Sequence, residues 1–318
     1  AIIFIKYPMA IRLYKTTIKK QFMKNPTYLV IVFVIGFVLN PGLLPTVCFA
    51  VLPARQVSIK NEKVQKIFII HAPITDLDEF RDLAKQVVRL KPYGKVQVNI
   101  SRLAEKGFHE IPPGNNFWYE YASYNPTPFK FFPDAKIAPF IPSEFVRKNQ
   151  ELLLEKAGIL REYGLEAAFW CYEPNFLPED FFRMYPHLRG PRIDHPRRSN
   201  HAAFAPCIDT KEVQDIFAGM VAELLTNVPE IKTFFFKTND AGSGICWSDW
   251  LYSGPNGPSH CKDKSAGERI ASLMNSFKAG AEIAGTEISI HLTGSMYTEE
   301  EEKDIHSHLP EGCYFQSP

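Results

Sequence analysis

The stretch that decides the fold runs from residue 66 to residue 101 and reads KIFIIHAPITDLDEFRDLAKQVVRLKPYGKVQVNIS. Lys66–Ala72 is a short apolar run rich in β-branched residues, which is typical of a buried strand. Asp76–Leu90 repeats apolar residues at helical spacing, and Lys95–Ser101 is a second strand-like run. Because a helix connects the two strands, the segment predicts a βαβ unit whose strands are parallel.

The same alternation of strand and helix repeats along the rest of the chain. The further predicted elements lie, in chain order, at Ser143–Tyr163, Glu166–Tyr172, Lys211–Thr226, Lys232–Lys237, Ser265–Ala284, Glu287–Leu292, Thr298–His306 and Gly312–Gln316. The order is therefore βαβαβαβαβαβ, with six strands and five helices. No G-x-G-x-x-G turn follows the first strand, which disfavours a dinucleotide-binding sheet. The sequence predicts the α/β class and a (β/α)8 TIM barrel, C-terminally truncated after about six strands and expected to be inactive as a fragment.

The composition is that of an ordinary globular protein. Of 318 residues, 45% are hydrophobic and 22% charged, which excludes disordered, collagen-like and coiled-coil chains. The formal net charge of +1 gives no electrostatic basis for binding nucleic acid, so no nucleic-acid partner is expected. Proline (25 residues) outnumbers glycine (18), and 13% of residues are aromatic, which predicts stiff loops rich in aromatic side chains.

The first fifty residues are expected to direct export. Lys24 precedes the apolar run Leu29–Leu39, and the small residues Cys48 and Ala50 follow it, the pattern of a secretory signal peptide. A retained signal anchor is the alternative, although Asn40 interrupts the run well before the roughly 20 residues that a membrane span needs. We therefore predict that residues 1–50 are upstream sequence and signal peptide (or signal anchor) and residues 51–318 a partial catalytic barrel. The protein is expected to be secreted or periplasmic, or else membrane-anchored through this segment alone.

Removal of Cys48 leaves an odd number of cysteines. Cys246 and Cys261 flank one loop and could form a disulfide in an oxidising compartment, or both could be free buried thiols. No C-x-x-C spacing is present, so the sequence predicts no zinc ribbon, no iron–sulfur cluster and no cofactor. A metal-dependent hydrolase would need a His/Asp cluster at the strand ends, and the first strand ends in His71 alone; no metal ligand is predicted.

Three long connections point to the position of the functional site. The segments 102–142, 173–209 and 238–264 each join a strand to the following helix, whereas the helix-to-strand connections are short. In parallel α/β proteins the site lies at the carboxyl ends of the strands, and loops longer than about 15 residues are usually functional. We therefore expect the three loops to line one site.

The first two loops combine aromatic and charged residues. Trp118 in the first loop stands among acids and aromatics, a composition that suits a sugar platform or a self-packed satellite core. In the second loop, Arg189, Arg192 and His195 are candidates for binding an anionic sugar substituent, because clustered arginines recognise carboxylates bidentately. The alternative is that these arginines pair with acids of the same loop. Glu173, at the tip of its strand, is a catalytic candidate by position.

The third loop carries the most specific constellation of the chain. Asn239 and Asp240 end a strand, and Asn239 is expected to bind the substrate. Asp249 follows among aromatic residues that we also expect to bind sugar, namely Trp247, Trp250 and Tyr252. Two carboxylates about 5 to 9 Å apart hydrolyse glycosides, and an indole wall raises the pKa of the acid. The competing interpretation is an Asx turn with buried indoles.

Residues 66–318 resemble, in layout, secreted carbohydrate-active barrels: glycoside hydrolases of the alpha-glucuronidase and beta-hexosaminidase kind and, more weakly, beta-galactosidase. In many barrel glycosidases an Asn–acid pair ends the fourth strand and the acid is the proton donor, and Asn239-Asp240 is similar to that pair. The second-loop stretch FLPEDFFRMYP is similar to a loop that borders the sugar subsite in some of these enzymes. The resemblance implies that Asp240 is the proton donor, while the usual nucleophile on the seventh strand has no counterpart among the predicted strands.

The leading hypothesis is an exported glycoside hydrolase that cleaves a poly- or oligosaccharide by carboxylate acid/base catalysis. Asp240 is its proposed proton donor, and Glu173 and Asp249 are alternatives for the second carboxylate. The alternative function is a non-catalytic carbohydrate-binding surface protein on a barrel scaffold. In either case the expected partner is a carbohydrate.

Overall fold

The computed structural model describes residues 2–6, 66–105, 107–108, 124–195, 201–240, 242–293 and 296–316. Within these residues the strands are β1 (Ile2–Lys6), β2 (Ile67–His71), β3 (Lys95–Asn99), β4 (Glu166–Tyr172), β5 (Arg189–Arg192), β6 (Phe204–Pro206), β7 (Ile231–Lys237), β8 (Ser289–Thr293) and β9 (Cys313–Gln316). The α-helices are α1 (Leu77–Val87), α2 (Ser143–Glu162), α3 (Glu179–Met184), α4 (Lys211–Asn227), α5 (Ala266–Ile283) and α6 (Glu299–His308).

One parallel sheet organises the fold. Its spatial order is β1-β2-β3-β4-β7-β8-β9, and every neighbouring pair is parallel. The order follows the chain without reversal, which is the order of a barrel and differs from that of a doubly wound sheet. The two edge strands, β1 and β9, are not paired with each other, so the described sheet is an open part of a barrel. The predicted α/β class and barrel-type strand order are confirmed.

The sheet has one strand more than the sequence analysis predicts. Residues Ile2–Lys6 pair with Ile67–His71 in parallel register, from Ile2 opposite Ile67 to Lys6 opposite His71. Both strands are short apolar runs, IIFIK and IFIIH. Because about sixty residues separate them, no local sequence pattern predicts that they pair. The predicted apolar segment Leu29–Leu39 and the cleavage point near Ala50 lie outside the described residues. Within the described part, no helix combines the length and apolar character needed to cross a membrane.

The two faces of the sheet differ in character because successive side chains of a strand point to opposite faces. One face packs under the helices, and Phe234 and Phe236 of β7 both meet Phe277 of α5, with ring centroids 5.2 and 4.4 Å apart. This helix-facing core also contains Phe68, Ile70, Val96, Val98, Phe169, Cys171, Ile290, Leu292 and Phe315. The opposite face, the interior face of the barrel, carries the alternate residues and is the one that opens toward a site.

The second long loop is more ordered than the sequence predicts. It contains the short helix α3 and an antiparallel hairpin in which Arg189 pairs with Pro206 and Arg192 with Phe204. Gly190 lies in this hairpin so close to β6 that a Cβ atom there would stand 2.7 Å from backbone atoms of Ala205, Pro206 and Cys207. No side chain fits at that distance, so glycine is required for the close approach.

Candidate functional site

A row of aromatic and imidazole rings crosses the interior face of the sheet. The row, which we call the interior row, consists of His71, Trp170, Phe235, His291 and Tyr314, from β2, β4, β7, β8 and β9. Successive ring centroids are 5.3, 5.7, 5.2 and 4.7 Å apart. His71 and Trp170 are half-buried and Tyr314 is 52% exposed, so both ends of the row reach solvent. The barrel interior therefore has a continuous aromatic floor.

Polar atoms accompany this floor at its β2–β3 end. Nδ2 of Asn99 lies 3.1 Å from Nδ1 of His71, and Oδ1 of Asn99 accepts hydrogen bonds from the backbone N–H and the hydroxyl of Ser101. At the other end His291 is stacked between Phe235 and Tyr314, and burial lowers its pKa to about 4. His291 is therefore a neutral imidazole at physiological pH.

Asp240 lies at the carboxyl end of β7, where the interior face opens. Its Oδ2 is 2.6 Å from Nζ of Lys237, which follows Phe235 by two residues and so lies on the interior face. The Lys237 ammonium also stands 5.8 Å from the ring centroid of Tyr172 on the neighbouring strand. The backbone carbonyl of Asp240 accepts hydrogen bonds from the N–H and the hydroxyl of Ser243, which close a tight turn. The pair Lys237–Asp240 places a charge-paired carboxylate at the mouth of the barrel.

Asn239 holds the third loop in place and does not open onto the site. Its backbone has φ of 59°, a left-handed conformation that asparagine tolerates better than most residues. Its amide donates to the hydroxyl of Ser248 at 2.7 Å and to the carbonyl of Met296 at 3.2 Å, and its Oδ1 accepts the N–H of Ile245. Asn239 is 1% exposed, and its Oδ1 accepts the N–H six residues on, so it ties the loop together without forming the two-residue Asx turn.

Glu173 is fully buried at the end of β4, beside β7. Its N–H donates to the carbonyl of Lys237, and its Oε2 accepts the N–H of Asn175 at 3.2 Å. Burial raises the pKa of Glu173 to about 8, against the opposing effects of Thr127, Asn175 and the Lys130 ammonium. Lys130 is itself fully buried, and burial lowers its pKa to about 7. This environment leaves the Glu173 carboxyl with no exposed surface for contact with a substrate.

The other predicted residues of the third loop fall into two groups. Trp250 (44% exposed) and Tyr252 (38% exposed) face solvent, as does Asp249, and Nε1 of Trp250 lies 3.1 Å from the sulfur of Met296. Trp247 is half-buried with φ of 58°, and its Nε1 donates to the carbonyl of Pro258. Trp250 and Tyr252 are thus available as platforms, whereas Trp247 packs inside the loop.

The two arginines of the second loop are bound by acids of the chain itself. Arg189 forms an ion pair with Glu179 and lies over the ring of Phe204, 4.5 Å from its centroid. Arg192 forms a bidentate pair with Asp194, through contacts of 2.7 and 2.9 Å. Of the two interpretations of these arginines, the structure shows the internal pairing that holds the loop.

His195 stacks on Tyr252 at 4.5 Å and so connects the second loop with the third. Trp118 lies outside the described residues.

Sequence reasoning misses one buried carboxylate, Glu301 of α6, which stands in a run of four glutamates that looks like a solvated helix face. Its Oε1 accepts hydrogen bonds from the Ser248 hydroxyl at 2.6 Å and the Asp249 N–H at 2.9 Å, and its Oε2 accepts the Thr298 N–H. The capping box of α6, Thr298 with Glu301, was the available signal, because such a glutamate is turned back toward the chain. Glu301 fixes the aromatic tip of the third loop to α6.

Fold and site together define an open α/β barrel whose carboxyl-terminal mouth combines a charge-paired carboxylate, an aromatic floor and two exposed rings. Carboxylates next to aromatic faces can hold a pyranose, since the rings cover its apolar face and the acids take its hydroxyls or its developing charge. Asp240, Trp250 and Tyr252 are predicted from the sequence as site residues, whereas Lys237 and the interior row are not.

Glycoside hydrolases are among the solved structures to which the chain is similar. No protein-family model matches the chain, and no curated protein matches it. Similar solved structures include a GH138 enzyme targeting pectin rhamnogalacturonan II (11% identity, 76% of this chain, 22% of that chain, TM-score 0.43). They also include the GH20 catalytic modules of the pneumococcal exo-beta-D-N-acetylglucosaminidase StrH (12% identity, 79% of this chain, 59% of that chain, TM-score 0.42). The GH36 alpha-galactosidase AgaA from Geobacillus stearothermophilus is a third (16% identity, 70% of this chain, 27% of that chain, TM-score 0.40).

The chain therefore spans from about a fifth to three fifths of the length of these glycoside hydrolases. At these identities and TM-scores the similarity does not define a reaction, and the case for a function depends on the residues of the site.

Proposed function

We propose that the chain is part of the catalytic barrel of a glycoside hydrolase that acts on a poly- or oligosaccharide. The observation that carries the proposal is Asp240, a carboxylate at the carboxyl end of β7 that is 6% exposed and lies 2.6 Å from the Lys237 ammonium. This is the end of the sheet at which barrel enzymes hold their catalytic groups.

The Lys237 contact bears on the role of Asp240. A neighbouring ammonium stabilises negative charge on a carboxylate, which suits a nucleophile, a base or a group that stabilises an oxocarbenium ion. Asp240 is thus proposed as one carboxylate of the catalytic pair, the residue to which the resemblance points.

Asp249 is the remaining candidate for the second carboxylate, because it is exposed on the third loop beside Trp250, whereas Glu173 is enclosed. Trp250 and Tyr252 provide the sugar platform, and the interior row offers a second aromatic surface on the interior face. Arg189 and Arg192 border this area, but their guanidinium groups are occupied by Glu179 and Asp194.

The test compares wild type with Asp240→Asn in the full-length protein, on a panel of aryl glycosides and aryl uronides. Loss of a catalytic carboxylate is expected to reduce kcat by about 10²- to 10⁴-fold. The matched control is Asp263→Asn, an exposed aspartate of the same loop, which is expected to keep wild-type turnover. Equal turnover of wild type and Asp240→Asn would remove Asp240 from the mechanism.

The second candidate, a non-catalytic carbohydrate-binding protein, is favoured by the enclosure of Glu173, which leaves one paired carboxylate at the mouth. Glycan-array binding without turnover of any substrate in the panel would establish it in place of the hydrolase.

A further inference from the structure

Three cysteines from distant parts of the chain meet beside the second and third loops. Cys207 follows β6, Cys246 lies in the third loop, and Cys261 closes the 3-10 turn Ser259–Cys261 before α5. All three are buried free thiols, and we call them the cysteine cluster. The Sγ atom of Cys207 lies 3.7 Å from that of Cys246 and 3.8 Å from that of Cys261.

These separations match a metal site better than a disulfide. Zinc binds thiolates at about 2.3 Å in tetrahedral geometry, so two sulfurs on one zinc ion stand about 3.8 Å apart. A disulfide would bring two sulfurs to about 2.05 Å and leave the third thiol unpaired in the same pocket. The separations of 3.7 and 3.8 Å exclude a bond between these sulfurs and leave them close enough to share one central ion.

A fourth donor group is present at the same place. The carboxylate of Asp209 and the three sulfurs all lie within 4.8 Å of one another. The Asp209 side chain is 1% exposed, so it turns toward the cluster and away from water. His260 approaches from the solvent side, with Nε2 3.4 Å from the Cys207 sulfur. Three sulfurs and one oxygen make four ligands, which is the number that a closed, structural zinc site uses.

The surrounding charges balance such an ion. Three thiolates and one carboxylate carry four negative charges, and a divalent cation removes two of them. The other two are matched by Lys264 and Arg269, which form ion pairs of 3.2 and 3.3 Å with the Asp209 carboxylate. Arg269 is 2% exposed and donates to the backbone carbonyl of Cys261 at 2.6 Å. Buried charges need this degree of compensation, and the divalent ion provides half of it.

We propose that Cys207, Cys246, Cys261 and Asp209 bind one structural zinc ion that links the second loop to the third. The three cysteines are 39 and 15 residues apart in sequence, so no C-x-x-C spacing marks them. The ion fixes the end of β6 to the base of the loop that carries Trp250 and Tyr252. The site takes no part in the proposed hydrolysis, and its test is independent of any activity.

The test begins with metal analysis of the intact chain, expressed with zinc in the medium and purified without chelator. One zinc ion per chain is expected. After removal of zinc, titration with Co²⁺ alone should give thiolate-to-cobalt charge-transfer bands and the visible bands of tetrahedral Co²⁺, which report sulfur ligation directly. These two measurements are made on wild type, so they hold whether or not a variant folds.

Variants then identify the ligands. Cys207→Ser is expected to weaken Zn²⁺ binding at least about a hundredfold, because even changes outside the ligand set cost 10- to 100-fold. Cys313→Ala, a buried cysteine outside the cluster, is the matched control and should bind zinc as wild type does. Asp209→Asn should weaken binding more than His260→Ala, and the reverse order would overturn the assignment of Asp209.

Mass spectrometry of the denatured, alkylated chain distinguishes free thiols from a disulfide. Zinc binding predicts that every cluster thiol is alkylated once the metal is removed. A disulfide between any two of the cluster cysteines, Cys246–Cys261 included, or a chain that takes up neither Zn²⁺ nor Co²⁺, would overturn the proposal.

Discussion

Replacing Glu173 by glutamine should make the protein more stable at neutral pH and leave its stability unchanged in acid. The Glu173 carboxyl is fully buried, and its pKa is raised from 4.5 to about 8 because burial penalises the charged form. Between these two values the folded protein keeps a proton that the unfolded chain releases. Stability therefore falls as pH rises through this window, and the cost is absent below 4.5 and complete above 8.

The magnitude follows from the size of the shift. Each pH unit inside the window costs about 1.4 kcal/mol, so wild type loses about 3 kcal/mol between pH 5 and pH 7 through Glu173. Glutamine does not titrate, has nearly the same shape and keeps an acceptor for the N–H of Asn175. The stability advantage of the variant over wild type should therefore grow by about 3 kcal/mol between pH 5 and pH 7. The pH range stays below the region in which Lys130, with a pKa lowered to about 7, adds a slope of opposite sign.

The assay is urea unfolding, followed by tryptophan fluorescence at pH 5, 6 and 7, for wild type, Glu173→Gln and a control. The control is Glu155→Gln, an exposed glutamate of α2 whose carboxyl is hydrated in both states. The quantity of interest is the change with pH of the stability difference between variant and wild type, because titrating groups that do not interact with Glu173 contribute equally to both proteins. A difference that is constant to within about 0.5 kcal/mol from pH 5 to pH 7 would refute the reasoning about Glu173.

Two further predictions concern the third loop. Asn239→Ala should lower the free energy of unfolding by about 2–4 kcal/mol, because it removes three buried hydrogen-bond contacts and places alanine at φ of 59°. The control Asn227→Ala, on the exposed end of α4, should lower it much less in the same urea assay. Trp250→Ala should weaken binding of a sugar ligand by about two- to tenfold, which is the effect of losing one aromatic contact. The melting temperature should stay unchanged, since the side chain is 44% exposed. Wild-type affinity in a calorimetric titration would exclude Trp250 from the platform.

The sequence predicts the architecture well because its signals are local. The alternation of apolar β-branched runs with amphipathic segments identifies β2–β4 and β7–β9 and the helices between them. The carboxyl-terminal position of the long loops follows from chain order alone. The strand β1 is missed because its pairing with β2 is decided by contacts across about sixty residues.

The site is predicted less well because side-chain partners are not local. Arg192 could bind a substrate anion or Asp194, and only the folded hairpin shows the bidentate pair. Glu173 and Asp240 both follow strands, yet one is enclosed with Lys130 and the other pairs with Lys237 at the mouth. The alternation of side chains along β7 places Lys237 on the same face as Phe235, and this local rule could have found the partner of Asp240.

The close contact at Gly190 has a consequence for substitution experiments. Any side chain at this position must push the opposite strand away, since a Cβ atom would stand 2.7 Å from backbone atoms of Ala205, Pro206 and Cys207. The displaced residues include Cys207, whose sulfur is shared between two neighbouring thiols. In a saturation-mutagenesis screen, position 190 should therefore tolerate substitution as poorly as the three cysteines do, although glycine has no side-chain atom that could bind a metal ion.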